Sequence, residues 1–164
     1  MATWFAAAQP DVLLLQELRA PKALIEKELR TFLGPDWHIT SVESLVKGRS
    51  GVAVATRLPV LAVREALPDL GTADAPIAEP ESDSGRWIEV DLELPDARVL
   101  TVVSTYLYSG TVGTPSMEAK YAHLDRVTAR LIELGTPGRL AVVSGDINIA
   151  HTELDIKNWK GNLK

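Results

Sequence analysis

A carboxylate and an amide two residues apart, Asp146 and Asn148, close a short apolar run, Leu140-Ala141-Val142-Val143-Ser144-Gly145, in this 164-residue chain. A carboxylate can bind a cation or take a proton from water, and an amide can donate a hydrogen bond to developing negative charge. Taken alone the pair is weak, because Gly-Asp after a strand is a common turn and Asn stabilises turns through its own backbone. It gains weight because two other apolar runs end the same way: Val12-Leu13-Leu14-Leu15-Gln16 delivers Glu17, and Val99 to Thr105 delivers Tyr106. In open α/β sheets ligands are met beyond the carboxyl ends of strands, so three such deliveries predict one shared site. In extended backbone, residues two apart leave on the same side, which predicts that Asp146 and Asn148 point together.

Glu17 and Asp146 are hard oxygen donors, and a magnesium ion typically takes one or two carboxylates plus waters and substrate oxygens. With no cysteine and 3 histidines, Mg2+ or Mn2+ is favoured over zinc. The chemistry this predicts is metal-assisted phosphodiester hydrolysis. The ion polarises a phosphoryl oxygen, a carboxylate helps deprotonate water, and Asn148 and Tyr106 donate hydrogen bonds to the charged transition state. From spacing alone, Glu17 could equally be a surface residue capping the next segment. His38 and His123 read as structural. His151 lies near enough to the Asp146 motif to touch phosphate, but no carboxylate adjoins it to fix a tautomer, so a role as base is not favoured.

The elements that must position these groups are legible from periodicity. Met1 to Gln9 reads as a helix, and a second runs from Pro21 to Gly34-Pro35 with Leu24, Ile25, Leu29 and Phe32 on one face. Trp37 to Val42 and Val52 to Thr56 read as neighbouring strands, Val60 to Val63 as a short one, and the acidic, Pro-rich Leu67 to Gly85 as a loop. Ile88 to Leu94 alternates apolar and acidic residues, predicting a half-exposed strand that turns at Pro95-Asp96 into the Val99 strand. Thr114-Pro115 opens a helix with an apolar stripe of Met117, Tyr121, Leu124, Val127, Leu131 and Leu134. The β-branched run before Asp146 predicts a strand fully buried in a sheet covered on both faces. In the tail, Lys157, Lys160 and Lys164 surround Trp159. That is a surface a phosphate backbone could meet, or a solvated turn with a buried Trp.

Composition sets outer bounds. Hydrophobic content of 46% with 24% charged residues is that of a soluble globular domain. No apolar run approaches the roughly 20 residues of a membrane span, so a cytoplasmic protein is expected. The absence of cysteine removes disulfides, thiolate catalysis and cysteine-bound zinc. A formal charge of −5 argues against coating nucleic acid by charge alone, while leaving room for a local basic groove. Strands and helices mix in one α/β (α+β) sandwich.

Several stretches, in this order, carry a family resemblance: Pro10-Asp11-Val12-Leu13-Leu14-Leu15-Gln16-Glu17, Gly51-Val52-Ala53-Val54, Gly85-Arg86-Trp87-Ile88, Tyr106 with Lys120-Tyr121, and Ser144 to Glu153 continuing through Lys157-Asn158-Trp159-Lys160-Gly161-Asn162. The chain resembles the exonuclease III type of AP endonuclease, in the endonuclease/exonuclease/phosphatase superfamily. The resemblance implies a partial four-layer sandwich, two β-sheets packed face to face with helices outside. It implies a monomeric, divalent-metal phosphodiesterase of DNA repair acting on double-stranded DNA at abasic sites and 3′ ends. Carried over, Glu17 would bind the metal, Tyr106 would contact the scissile phosphate, Asp146 would activate water and Asn148 would stabilise the transition state. Lys120 would contact the DNA backbone, with Lys157, Trp159 and Lys160 as further DNA-binding residues.

Ser104 stands where the family often has Asn, and Ile147 where Phe is usual. The family's opening Trp-Asn-Val-Asn-like strand and its closing Asp-His pair have no counterpart in the sequence. The expectation is therefore one incomplete domain, lacking the first strand and the C-terminal third, with little or no nuclease activity by itself. Two alternatives stand beside it: a non-catalytic remnant that binds DNA or a partner, and a phosphatase of phosphorylated lipids or small molecules on the same scaffold.

Overall fold

The computed structural model describes residues 2–68 and 80–162. The middle of the expected Leu67–Gly85 loop, residues 69–79, and Lys164 lie outside the described residues. In chain order the elements are α1 (Ala2–Ala8), β1 (Val12–Gln16), α2 (Lys22–Leu33), β2 (His38–Val42), β3 (Val52–Thr56), β4 (Val60–Arg64), β5 (Trp87–Glu93), β6 (Val99–Tyr106), α3 (Pro115–Leu134) and β7 (Leu140–Asp146). Short 3-10 turns lie at Glu81–Asp83, Glu153–Asp155 and Lys160–Asn162. Each expected strand and helix is present, bounded where Gly and Pro interrupt the apolar pattern.

The strands form two sheets, one ordered β1-β3-β2 and one ordered β4-β5-β6-β7. All pairings are antiparallel except β6 with β7, which are parallel and joined through α3. The sheets pack face to face over a core of Val52, Val54, Ile88, Val90, Leu92 and Val102. A second apolar cluster, with Trp87, Val103, Leu107, Val127 and Leu134, seats α3 on the outer face of the larger sheet. On the other side α2 lies against β2, with Ile25 buried and Ser41 donating to Glu26 at 3.1 Å. The result is the expected helix, sheet, sheet, helix layering. Among the described residues no helix is long and apolar enough to cross a membrane.

Three local expectations are overturned. Strand β5 is not half exposed: Glu89 is fully buried. The alternation is real, but the acidic face meets α3, where Arg130 donates to both Glu89 oxygens at 2.7 Å, Arg64 to one at 2.7 Å, and the Trp87 indole to the other at 2.9 Å. A buried carboxylate persists only with such partners.

Strand β7 is not buried on both faces. Among the described residues it is an edge strand paired to β6 alone, with Val142 48% exposed, because β-branched content reports strand preference and not burial. The buried face of α3 is also turned from the expected stripe. Lys120, His123, Val127 and Leu134 face inward, while Tyr121 and Leu131 are exposed. Both polar intruders have hydrogen-bond partners that periodicity cannot register.

Candidate active site

Parallel pairing sets the site. In the β6/β7 register Tyr106 lies opposite Asp146, so the two strands deliver a phenol and a carboxylate side by side. The other sheet is fastened to this end by Ser104, whose hydroxyl donates to the Leu15 carbonyl at 3.0 Å and accepts from Gln16 Nε2 at 2.9 Å. Strand β1 therefore ends over β6. Glu17, at φ 61°, turns there in a left-handed conformation that non-glycine residues seldom adopt. Its Oε1 accepts from the Tyr106 hydroxyl at 3.1 Å and pairs with the Arg19 guanidinium. The following residue is pinned, with Leu18 N donating to the Gly51 carbonyl at 3.0 Å. Only glycine fits at 51, since a Cβ there would stand 2.3 Å from the Leu18 carbonyl oxygen.

Beyond Asp146 the backbone leaves the strand. Asn148 is left-handed at φ 52°, so the extended geometry expected for the pair does not hold. The two residues meet instead through a turn, with Asn148 N donating to Asp146 Oδ1 at 3.1 Å and Asn148 Nδ2 donating to the Leu107 carbonyl at 2.9 Å. An amide nitrogen has two protons, so one remains for a ligand. Lys120 holds the same turn from α3, donating to the carbonyls of Asn148 at 2.9 Å and Ser109 at 3.2 Å. Its burial pushes the ammonium pKa down.

Lys120, Asp146 and Asn148 line an open groove of about 1000 Å³ together with Val112, Met117 and Trp159. Lys157 and Lys160 are exposed and line a separate cleft of about 380 Å³ that shares Trp159 with the groove. The structure thus brings Glu17 and Asp146 each beside Tyr106, and gathers Asn148, Lys120 and Trp159 in the adjoining groove.

Of the histidines, His38 and His151 are exposed, and His123 is buried with Nδ1 3.1 Å from Asp83. Burial pushes the Asp83 carboxyl up, but hydrogen bonds from His123 and Tyr108 outweigh it, leaving the pKa below its ordinary value. Two residues in contact with the candidate site escaped the residue-by-residue reading. Arg19 is one, although a basic residue two places after a delivered carboxylate was a visible signal. Arg86 is the other, quoted only within a motif. Its guanidinium donates to the Tyr106 carbonyl at 3.2 Å and lies 3.7 Å from the Tyr108 ring centroid.

The whole chain, residues 1–164, matches the model of the Endonuclease/Exonuclease/phosphatase family. The chain belongs to that family. It is 29% identical over 156 residues to a DNA-(apurinic or apyrimidinic site) endonuclease of Dictyostelium discoideum, an alignment covering 94% of this chain and 38% of that protein. Its fold superimposes on an AP endonuclease from Archaeoglobus fulgidus with a TM-score of 0.70 at 23% identity, covering 97% of this chain and 55% of the other. A 3′ phosphatase from Neisseria, solved bound to product DNA hairpin, also gives 0.70 at 23%, covering 98% and 56%. This endonuclease/exonuclease/phosphatase chain thus spans little more than half the length of the proteins it matches, or less.

The donor set of this family member fits a hydrated cation. Glu17 and Asp146 are both exposed hard oxygen donors beside Tyr106, suited to an ion that keeps several waters and takes substrate oxygens. Among the described residues no group of three or more His, Cys, Asp or Glu could cage a metal. The Arg19 guanidinium on Glu17 Oε1 already places positive charge where a cation would sit.

Proposed function

We propose that this chain carries the substrate-cleaving end of a divalent-metal-dependent DNA phosphodiesterase of DNA repair, of the 3′-to-5′ exodeoxyribonuclease and AP endonuclease type. It would act in the cytoplasm as a monomer on abasic sites and 3′ ends of duplex DNA. The observation that carries this is the convergence on Tyr106: its hydroxyl on Glu17 and its register partner Asp146. Acid, phenol and acid from three strands meet at one edge, as phosphoryl chemistry needs.

Glu17 would hold Mg2+ or Mn2+, which when bound supplies Lewis-acid polarisation of the phosphoryl oxygen. Asp146 takes the proton of the attacking water. Its Oδ1 is oriented by the Asn148 backbone N–H at 3.1 Å. Tyr106 donates to the scissile phosphate, and the free Asn148 amide proton donates to the charged transition state. Lys120 anchors the Asn148 turn and keeps one N–H for a DNA phosphate, with Lys157 and Lys160 meeting the backbone further along. We further propose that this chain's own turnover is slow, because the Arg19 guanidinium already occupies the Glu17 carboxylate that would hold the ion.

The test is single-turnover cleavage of an end-labelled duplex with one abasic site, in Mg2+ or EDTA, with Asp146→Asn in parallel. Slow, metal-dependent cleavage that Asp146→Asn abolishes is the expected result. Turnover of about 1 per second, an ordinary enzyme rate, would overturn the slow-turnover proposal. Salt-dependent DNA binding with no cleavage, unchanged by Asp146→Ala, would leave a non-catalytic DNA-binding protein. Preferential hydrolysis of inositol phosphates would point to a phosphatase.

A further inference from the structure

We infer that Trp159 is a stacking platform for an unpaired nucleobase, so that the DNA best accepted beside Asp146 ends in an unstacked 3′ nucleotide. This rests on the DNA phosphodiesterase reading and adds a substrate class to it.

The four tryptophans are in different states. Trp87 is buried and donates to Glu89. Trp37 is buried, packs on Phe5 and has the Arg57 guanidinium over its ring. Trp4 is exposed on α1. Trp159 alone lines the groove that contains Asp146, and it is half-buried. Among the described residues its ring meets no aromatic or guanidinium partner, and its indole N–H has no hydrogen-bond acceptor.

The chain before it carries a closed turn. Thr152 N and Oγ1 both donate to Asp155 Oδ2, at 2.7 and 3.0 Å, closing a capping box. A half-buried indole already seated in the groove wall has less freedom to lose when it stacks on a flat ligand.

The groove's other lining narrows the ligand. Val112 and Ile149, 70% and 51% exposed, add apolar surface beside the indole, which suits a base and its deoxyribose. Lys157 and Lys160, in the cleft sharing Trp159, offer charge for flanking phosphates. Every base has a π-face, so an indole accepts all four, but a base inside a duplex has both faces covered by its neighbours. A paired terminal base keeps an open outer face but is held in the helix by its partner, so only an unpaired or frayed one can turn out to lie along an indole in the groove wall.

The experiment uses the full chain in EDTA, so that nothing is cut, and two duplexes carrying 2-aminopurine at one 3′ terminus, paired in one and mispaired in the other. Binding is read by anisotropy of a dye at the far end, and stacking by 2-aminopurine emission. The wild type is expected to bind the mispaired end roughly tenfold more tightly and to quench its emission, the range that base–aromatic stacking supplies. Trp159→Ala should lose preference and quench together, with any loss of affinity for the paired duplex smaller than the loss for the mispaired one. Trp159→Phe should retain the quench.

A wild type that binds both duplexes without preference or quench, or an Ala variant that keeps both, overturns the stacking role alone. A wild type that binds neither duplex overturns the DNA reading, and the stacking role with it.

Discussion

The Tyr106 hydroxyl donates to Glu17 Oε1 at 3.1 Å, and this contact joins the carboxyl ends of strands from different sheets. A phenol has one proton, so donating to Glu17 and donating to a phosphate oxygen exclude one another. The proposed role of Tyr106 therefore requires substrate binding to redirect the hydroxyl. Tyr106→Phe is expected to lower single-turnover cleavage by about 10²- to 10³-fold, the usual cost of losing a transition-state donor. Its unfolding free energy should move by no more than about 1 kcal/mol, because the hydroxyl's partner is exposed. Urea titration beside the cleavage assay separates the two effects, and a Phe variant cutting at the wild-type rate removes Tyr106 from the chemistry.

If Glu17 holds the ion as proposed, Arg19 competes with a cation for its carboxylate. Its guanidinium is held above its ordinary pKa by the hydrogen bond to Tyr106 and then by the Glu17 charge, so it stays positive at any working pH. Arg19→Met should tighten Mn2+ binding by up to about fivefold, the worth of an exposed ion pair, as read from the free-ion signal in electron paramagnetic resonance. Glu17→Gln should abolish the same binding. Weaker Mn2+ binding by Arg19→Met would make Arg19 a support of the site and not its competitor.

How far the sequence could be read depended on whether the determining contacts were local. The three strands delivering Glu17, Tyr106 and Asp146 were recognisable because apolar runs bounded by Gly and Pro are local signals, and the rule placing ligands at strand ends needs no coordinates. The sandwich layering followed from element order and the family resemblance. Burial was harder. Glu89 and Asp91 read as solvent-facing because alternation cannot report that α3 brings Arg130 onto that face. Strand β7 read as buried on both faces because its composition does not say which elements cover it. At the site, the left-handed turn of Asn148 and the anchoring of its carbonyl by Lys120 are tertiary choices invisible in spacing. Ser104, read as a mild departure from the family pattern, is the residue that ties β1 to β6 beneath Glu17.

The Glu89 network makes stability depend on acid. Burial pushes the Glu89 carboxyl up, but hydrogen bonds from Arg130, Arg64 and Trp87 outweigh it and hold its pKa below the ordinary 4.5. The unfolded state then binds the proton more readily. The carboxylate's contribution is complete above the unfolded value and disappears as pH falls through the lower folded one. Thermal unfolding should show a midpoint that drops on acidification below about pH 4.5, with a shallower drop in Glu89→Gln. At neutral pH Arg130→Met should cost about 3 kcal/mol, because it strips a buried charge of a principal partner. A cost under about 1 kcal/mol would mean that Arg64 and Trp87 satisfy Glu89 without Arg130.

Gly145 decides how closely β7 approaches β6 at the residue before Asp146. A Cβ there would stand 1.9 Å from the Thr105 carbonyl oxygen, which is backbone and cannot move aside without parting the strands. Gly145→Ala is expected to destabilise by about 1–3 kcal/mol through overpacking. It should also weaken binding of abasic duplex in EDTA, since Asp146 and the Asn148 turn shift with the strand. Gly138→Ala is the control: its φ of 90° disfavours a side chain, yet a Cβ there meets nothing within 4 Å, so it carries backbone strain without a clash. If both variants unfold at the same urea concentration and bind DNA alike, close approach at 145 is not what positions Asp146. A larger loss of both stability and binding in Gly145→Ala assigns the placement of the Asp146 carboxylate to that backbone contact.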